Sequence, residues 1–148
     1  MGVPMHPVDV FLLLTSGGKV LLALREGTGY ADGTWNLPSG KLETGEDAVS
    51  GVIRESAEEI GVRLDPGDLR LVTTVHHRNA EGGSRIGLFF AAEHDSGRHG
   101  EPRNAEPHKC AGLDWFPPGA LPDPTYRYTR AGVAAFLRGE PLCLDGWA

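Results

Sequence analysis

The feature that most constrains this chain is one stretch of helical sequence, residues 47–60. Its apolar residues recur every three or four positions, the spacing that gathers them on one face of an α-helix. Gly61 is placed to end the helix, and Thr44 and Asp47 have the spacing of a capping box at its start. A helix with one apolar face needs a surface to pack on. The predicted inward stripe consists of Val49, Val52, Ile53, Ser56 and Ile60.

Acidic residues occupy another face of the same predicted helix. Glu55, Glu58 and Glu59 are three and four positions apart, so they project from one side. A solvated acidic surface explains such glutamates as well as a metal site does, because acidic helix faces are common. Gly51 lies on this face too. Since glycine inside a helix costs about 1 kcal/mol relative to alanine, its presence predicts a close approach by another group.

Residues at fixed distances around these glutamates favour the metal site. They are Gly40, Glu46, Arg54, Glu55, Glu58, Glu59, Gly61 and Val62. Together they resemble the Nudix box, the motif of the Nudix hydrolases, and residues 30–38, 106–110, 113–116 and 121–122 are similar to MutT-like members of that family. Two positions depart from the pattern: Ser56 stands where an aliphatic residue is usual, and Ser39 stands where a glycine often precedes the box. The first departure concerns packing and leaves the acidic face intact.

The resemblance implies that the helix binds a divalent cation, Mg²⁺ or alternatively Mn²⁺. Carboxylate and carbonyl oxygens are the ligands that such hard cations prefer. Glu46 and Arg54 resemble an ion pair that braces the box loop against the helix. The implied ligands are the carboxylates of Glu55, Glu58 and Glu59 and the backbone carbonyl of Gly40.

The resemblance also implies roles outside the helix. The reaction would be attack of a metal-activated water on a phosphorus of a diphosphate linkage, assisted by a general base whose position varies within the family. Glu106 is predicted as that base or as a further metal ligand, with a solvated loop residue as the equal alternative. Contacts to phosphate or to the base of the substrate are predicted for Arg25, Lys41, Asp123 and Tyr126.

The remaining sequence predicts an α+β fold, a Nudix-like α/β/α sandwich with a mixed β-sheet, in a single domain over residues 1–148. Apolar and β-branched runs predict strands at residues 8–15, 19–25, 69–77, 85–93 and 112–116. The first two form a hairpin around a Ser-Gly-Gly turn. A second helix is predicted at residues 128–138, and polar loops at residues 26–39 and 94–110.

Composition limits the partners of the chain. A formal net charge of −6 argues against non-specific binding to nucleic acid. No apolar run approaches the roughly 20 residues that span a bilayer, and the start of the chain lacks the pattern of a signal peptide. The two cysteines, Cys110 and Cys143, show no metal-site spacing and predict reduced thiols in a cytoplasmic protein. A monomer and a homodimer are both compatible with the sequence.

The substrate is less constrained than the chemistry. The segment after the box lacks the proline typical of the ADP-ribose branch and the tyrosine typical of the diadenosine polyphosphate branch. These absences favour a nucleoside triphosphate, cleaved to a monophosphate and pyrophosphate. A nucleotide sugar, ADP-ribose or another dinucleotide is the alternative substrate. A nucleotide sensor without catalysis is the alternative of another class, although such domains usually have a damaged box.

Overall fold

The structure, a computed structural model, describes residues 2–147 of the chain. These residues form one sheet of eight strands and three α-helices, with a short 3₁₀ helix at Pro66–Asp68. The helices are α1 (Ala48–Ile60), α2 (Ser96–His99) and α3 (Arg127–Arg138). The strands are β1 (Val8–Ser16), β2 (Lys19–Arg25), β3 (Trp35–Asn36), β4 (Ser39–Lys41), β5 (Arg70–Arg78), β6 (Ser84–Glu93), β7 (Cys110–Phe116) and β8 (Leu142–Asp145).

The apolar run at the start of the chain becomes the centre of a mixed sheet. The strand order is β3-β2-β1-β6-β5-β8, with β4 also paired to β1 and β7 also paired to β2. β1 runs parallel to β6 and β5 runs parallel to β8, whereas the other pairs are antiparallel. The predicted α+β class with a mixed sheet is confirmed.

The first hairpin opens soon after its turn, and this opening places the site. β1 and β2 pair only at Thr15↔Val20 and Ser16↔Lys19. Further along, β3 pairs with β2 and β4 pairs with β1, so residues 35–41 bridge the two diverging strands. The bridge leads directly into the loop before α1. The glutamates of α1 therefore face the gap between β1 and β2.

The two long helices cover opposite faces of the sheet. α1 contributes Val52 and Ile60 to a core cluster that includes Val10, Leu12 and Leu14 of β1. α3 contributes Tyr128 and Val133 to a second cluster, which includes Phe11, Leu13 and Phe89. Successive side chains of a strand point to opposite faces, so β1 supplies both cores by alternation. The predicted α/β/α sandwich is confirmed. The described helices are all too short or too polar to span a bilayer.

The details of α1 correct one prediction and explain one departure from the box. The N-cap is Asp47, whose carboxylate accepts a hydrogen bond from the backbone N–H of Ser50, so Thr44 does not cap the helix. Gly61 ends the helix in the left-handed conformation, at φ 69°. Ser56 is fully buried, and its hydroxyl donates to the carbonyl of Val52 at 2.6 Å. The helix itself thus satisfies the polar group at this inward position.

Five elements differ from the sequence-based expectations. β3 and β4 are too short to show a periodic pattern, because they have two and three residues. α2 is a single turn within the predicted polar loop. β8 is an edge strand with exposed Leu142 and Leu144, and its alternation extends over only four residues. β7 begins at Cys110, two residues before its predicted start, because its pairing with β2 continues past a bulge.

Candidate active site

The acidic face of α1 borders a cavity of about 450 Å³, which we name the carboxylate cavity. β2 supplies one wall, residues 36–39 another, and the loop before β7 closes the far side. The cavity is lined by carboxylates and cations from these elements. They include Glu55, Glu58 and Glu59 of α1, Glu106 of the loop, Arg54 and Arg25.

Glu59 is the most buried of the predicted ligands and the most perturbed. Burial raises its pKa to about 8, and the charges of Glu55 and Glu106 add to the increase. Two groups oppose the increase: the backbone N–H of Ser39 donates to its Oε2 at 3.1 Å, and Arg25 lies near enough to lower the pKa. A carboxylate in this setting is short of positive charge.

Arg54 holds the neighbouring carboxylates in place. Its guanidinium donates to Glu46 twice, at 2.7 Å through Nε and at 2.9 Å through Nη2. Its Nη1 reaches Glu55 at 2.8 Å and Glu58 at 3.2 Å. The hydrogen bonds to Glu46 are the largest cause of the raised pKa of Arg54. Burial raises the pKa of Glu55 although Arg54 opposes the shift.

Two glycines of the box make room for these side chains. A Cβ on Gly40 would overlap the carboxylate of Glu55, and a Cβ on Gly51 would overlap the side chain of Leu42. Glu46 also lies 3.2 Å from the position of a Gly51 Cβ. The close approach predicted at Gly51 is therefore made by the box loop of the chain itself.

The donor set fits a hard divalent cation. Glu59 is buried and short of positive charge, Glu55 and Glu106 lie beside it, and Gly40 has no side chain to obstruct them. Within residues 2–147, no three side chains of His, Cys, Asp or Glu already have the arrangement of a metal site. Glu55 and Glu58 are turned toward Arg54 instead. Binding a cation therefore requires these carboxylates to exchange part of their contact with Arg54 for the metal.

A second cavity of about 560 Å³ adjoins the first, and we name it the tyrosine cavity. Arg25, Asn36 and Ser39 line both cavities, so the two are continuous across the bridge of residues 35–41. Tyr30 and Tyr126 stand at its rim, with their hydroxyls 3.0 Å apart. Burial raises the pKa of Tyr126 above its ordinary value. Lys41 also lines this cavity.

Arg25 connects the two cavities with the loop that follows β2. Its Nε donates to the carbonyl of Tyr30 at 3.1 Å, and its Nη2 donates to the hydroxyl of Thr28 at 3.2 Å. Asp32 fixes the same loop, because its carboxylate accepts hydrogen bonds from the backbone N–H groups of Thr28 and Gly29. The guanidinium is therefore held at the junction between the cavities.

The floor of the tyrosine cavity contains a charge pair that the sequence reasoning missed. Asp9 of β1 accepts two hydrogen bonds from Arg85, at 2.7 and 2.8 Å, and a third from the hydroxyl of Tyr128 at 3.1 Å. His77 of β5 stacks on Tyr128 with ring centroids 4.4 Å apart. A single charged residue in the otherwise apolar run of β1 was the available signal for Asp9. The sequence contains no comparable signal for His77 and Arg85, because polar residues are common at strand positions.

Nine of the ten predicted side chains and the predicted glycine therefore gather around one continuous cleft, or brace it. Glu46 lies behind Arg54, and the others line a cavity. Asp123 is outside this group. Its side chain is 95% exposed and pairs with Arg130 at 2.7 Å. It precedes α3 in the chain and lines neither cavity, so the structure does not bring it to the cleft.

Comparison with known proteins agrees with this geometry. The family profile described as NUDIX domain matches residues 5–136. The solved structure of a MutT NUDIX hydrolase from Burkholderia pseudomallei superposes with a TM-score of 0.77 at 30% identity, covering 88% of this chain and 98% of that chain. The predicted resemblance to MutT-like Nudix hydrolases is confirmed.

Two curated relatives show how far the likeness extends. A CTP pyrophosphohydrolase from Escherichia coli (strain K12) is 29% identical over 109 residues, which are 74% of each chain. An 8-oxo-dGDP phosphatase from Mus musculus is 31% identical over 104 residues, 70% of this chain and 30% of that protein. The chain spans less than half the length of several curated relatives. Its fold, its box and the family match show that the chain belongs to the Nudix hydrolases.

Proposed function

We propose that this chain is a Mg²⁺-dependent pyrophosphohydrolase of nucleoside triphosphates, which releases a nucleoside monophosphate and pyrophosphate. The observation that carries the proposal is the position of Glu59. This buried carboxylate, with its pKa raised to about 8, lies among other acidic groups in the carboxylate cavity. Its Oε2 accepts a hydrogen bond from the backbone N–H of Ser39, a residue that lines both cavities. Such a perturbed group in a cleft is typical of a functional site.

The chain's own residues supply the ligands that a cation needs. Glu55, Glu58 and Glu59 would hold it together with the carbonyl of Gly40, and Mn²⁺ would fit the same oxygen donors. When bound, a divalent cation neutralises phosphate charge and lowers the pKa of a bound water. Glu46 holds the guanidinium of Arg54, which in turn orients the carboxylates of Glu55 and Glu58. Arg54 thus positions the metal ligands.

The chemical step requires a proton acceptor. Water attacks a phosphorus of the anhydride, a new P–O bond forms, the bridging P–O bond breaks, and the proton of the water passes to a carboxylate. Glu106 borders the carboxylate cavity from outside the box and is our candidate for that acceptor. Glu59 is the alternative, since it lies in the same cavity. Arg25 places positive charge where the two cavities meet, and Lys41 adds positive charge from the tyrosine cavity.

The second cavity gives the nucleoside a place. Arg25, Asn36 and Ser39 line both cavities, so one extended ligand can occupy both. Each volume lies within the range of about 300–1,000 Å³ that is usual for small-molecule sites. We place the phosphates in the carboxylate cavity and the base in the tyrosine cavity, near Tyr126. The two relatives differ in the substrate that their names give, a nucleoside triphosphate for one and a nucleoside diphosphate for the other. The number of phosphates on the substrate of this chain is therefore a separate part of the proposal.

A panel of substrates tests the proposal. Purified protein with Mg²⁺ is incubated with nucleoside triphosphates, nucleoside diphosphates, ADP-ribose and a nucleotide sugar, and the products are resolved by ion-exchange chromatography. Triphosphates are expected to give monophosphate and pyrophosphate in equal amounts. Orthophosphate from diphosphates alone would contradict the triphosphate assignment. Binding without turnover on every member would contradict catalysis and favour a sensor.

Three further expectations remain proposals. We place the chain in the cytoplasm because Cys110 and Cys143 are both free thiols. We treat residues 1–148 as a single domain. We propose a monomer or a homodimer, and we propose from the net charge of −6 that the protein binds no nucleic acid.

A further inference from the structure

We propose that His77 and Arg85 form a pair that reads the base of the substrate and selects a lactam edge, an N–H beside a carbonyl oxygen. Asp145 would be the residue that positions His77. The inference rests on the proposed function in one respect, since it takes the tyrosine cavity to be the place of the base. The bases that carry such an edge are guanine, uracil, thymine and 8-oxopurines.

His77 is a rigid part of the tyrosine cavity. It is 7% exposed, lines the cavity, and stacks on Tyr128 with an angle of 13° between the ring planes. Its Nδ1 lies 2.8 Å from Oδ2 of Asp145. The other oxygen of Asp145 lies 3.4 Å from the guanidinium of Arg127. Packing and hydrogen bonding therefore fix both the position and the rotation of the ring.

The contact with Asp145 also fixes the tautomer. A carboxylate accepts hydrogen bonds, so the proton of the neutral imidazole resides on Nδ1 and points at Asp145. Nε2 is then an acceptor. Among residues 2–147 it has no hydrogen-bond partner, unlike Nδ1. Since His77 lines the tyrosine cavity, this acceptor is available to a donor of the ligand.

A donor stands directly beside this acceptor. His77 of β5 and Arg85 of β6 are opposite one another in the antiparallel pair. Side chains of opposite residues in such a pair lie about 5 Å apart at Cβ. Arg85 uses Nε and Nη2 to bind Asp9, which fixes the plane of the guanidinium, and both residues line the tyrosine cavity. Its Nη1 is left to face a ligand acceptor.

Three of the other polar side chains of the cavity already accept hydrogen bonds within the protein. Asp9 accepts from Arg85 and Tyr128, Asn36 accepts from Thr129, and Asn79 accepts from the backbone N–H of Gly83. His77 and Arg85 place an acceptor and a donor side by side for a base. An N–H of the base meets Nε2, and the neighbouring carbonyl oxygen meets the guanidinium. Adenine and cytosine present an unprotonated ring nitrogen beside an amino group, the opposite order.

Two measurements on four nucleotides test the pair. The first is kcat/KM for GTP, UTP, ATP and CTP with Mg²⁺, and the second is calorimetric binding of the four nucleoside monophosphates to metal-free protein. For the wild type we expect a preference of about thirtyfold for guanine and uracil in both measurements, which corresponds to about 2 kcal/mol for the two hydrogen bonds at stake. The difference is expected in KM, with kcat nearly the same for all four.

Substitutions at and behind His77 separate reading from folding. His77→Phe keeps the ring stacked on Tyr128 and removes both nitrogens. The ratio of kcat/KM for GTP and UTP to kcat/KM for ATP and CTP should then fall to about one. Asp145→Asn permits the other tautomer, which turns Nε2 into a donor, so the preference should shift toward adenine and cytosine. A loss of structure alone would weaken all four nucleotides together. Asp145→Glu should restore part of the original preference.

The matched control lies on the same strand. His76 faces the other side of β5, where it packs on Trp147, so His76→Phe is expected to leave the preference unchanged. Equal kcat/KM and equal binding for the four bases in the wild type would overturn the inference, as would an unchanged preference in His77→Phe. A binding preference without turnover on any nucleotide would refute the proposed hydrolysis and still support the base reading.

Discussion

The two cavities of the cleft differ in how their charges are balanced. In the tyrosine cavity, Asp9 receives two hydrogen bonds from Arg85 and one from Tyr128, so its carboxylate is satisfied by the protein. In the carboxylate cavity, Glu59 is buried beside Glu55 and Glu106, and its pKa is raised to about 8. The charge of Asp9 is thus balanced within the protein. The carboxylate cavity requires positive charge from outside, which is what a metal–phosphate complex provides.

The regions differ equally in how they are assembled from the chain. The carboxylate cavity draws most of its acidic groups from one loop and one helix, with Glu106 added from a distant loop. The floor of the tyrosine cavity is assembled from β1, β5, β6, α3 and β8. Chemistry is thus concentrated in a local segment, while recognition is spread across the sheet. Substitutions in the first region should change kcat, and those in the second should change KM.

The largest expected effect comes from Glu59→Gln. The substitution keeps the shape of the side chain and removes the buried charge, so turnover in the presence of Mg²⁺ should fall roughly a thousandfold, comparable to the loss of a major group that stabilises transition-state charge. Single-turnover kinetics on the preferred nucleotide measures this. Glu93→Gln, the same change at an exposed site on β6, is the control. A Glu59→Gln protein with normal turnover would refute the assignment of Glu59 as a metal ligand.

The same buried charge predicts that pH affects stability when no metal is present. The folded pKa of Glu59, about 8, exceeds its ordinary value of 4.5, so the folded chain binds the extra proton between these pH values. Its contribution to stability is full below about pH 4.5 and is lost as the pH rises through 8. Because one pKa unit corresponds to about 1.4 kcal/mol, the loss amounts to a few kcal/mol.

Thermal unfolding with a chelator at pH 6 and at pH 8.5 measures this loss. Tm should be lower at pH 8.5, and Mg²⁺ should raise Tm more at pH 8.5 than at pH 6, because the cation binds the ionised carboxylate. Glu59→Gln should remove much of the difference between the two pH values. Equal Tm shifts with Mg²⁺ at both values would show that Glu59 does not bind the cation.

A smaller effect is expected from Arg54→Lys. Lysine keeps the charge but cannot make the two parallel hydrogen bonds to Glu46 while it also reaches Glu55. The carboxylates would lose their orientation, and kcat should fall by about 10–100-fold, the usual cost of disturbing the groups behind metal ligands. Titration with Mn²⁺, followed by electron paramagnetic resonance, should show weaker binding. Arg103→Lys, an arginine near Gly61 outside both cavities, is the control.

The local assembly of the carboxylate cavity explains why so much of it could be predicted from sequence. Helical spacing places Glu55, Glu58 and Glu59 on one face whatever the rest of the chain does. The fold class followed from the strand pattern for the same reason. The inward Ser56, which conflicted with the expected packing, is accommodated by a hydrogen bond within its own helix.

What the sequence did not predict depends on contacts between distant segments. His77 meets Asp145 across 68 positions, and Arg85 meets Asp9 across 76. No local periodicity encodes such pairs, because they arise when strands align in a sheet. The short strands β3 and β4 were not predicted for a related reason. They pair with strand edges that exist only because β1 and β2 diverge. Asp123 was predicted near the base from the family resemblance, yet its side chain is turned to solvent.

The smallest expected effect lies at the rim of the tyrosine cavity. Tyr30→Phe removes the hydrogen bond between the hydroxyls of Tyr30 and Tyr126, 3.0 Å apart, and keeps the ring. Tyr30 is 63% exposed, so water replaces the lost partner and the change in unfolding free energy should stay within about 0.5 kcal/mol. KM should rise no more than about threefold with kcat unchanged. A large fall in kcat would mean that the rim takes part in the chemical step, and the division between a catalytic cavity and a recognition cavity would then be wrong.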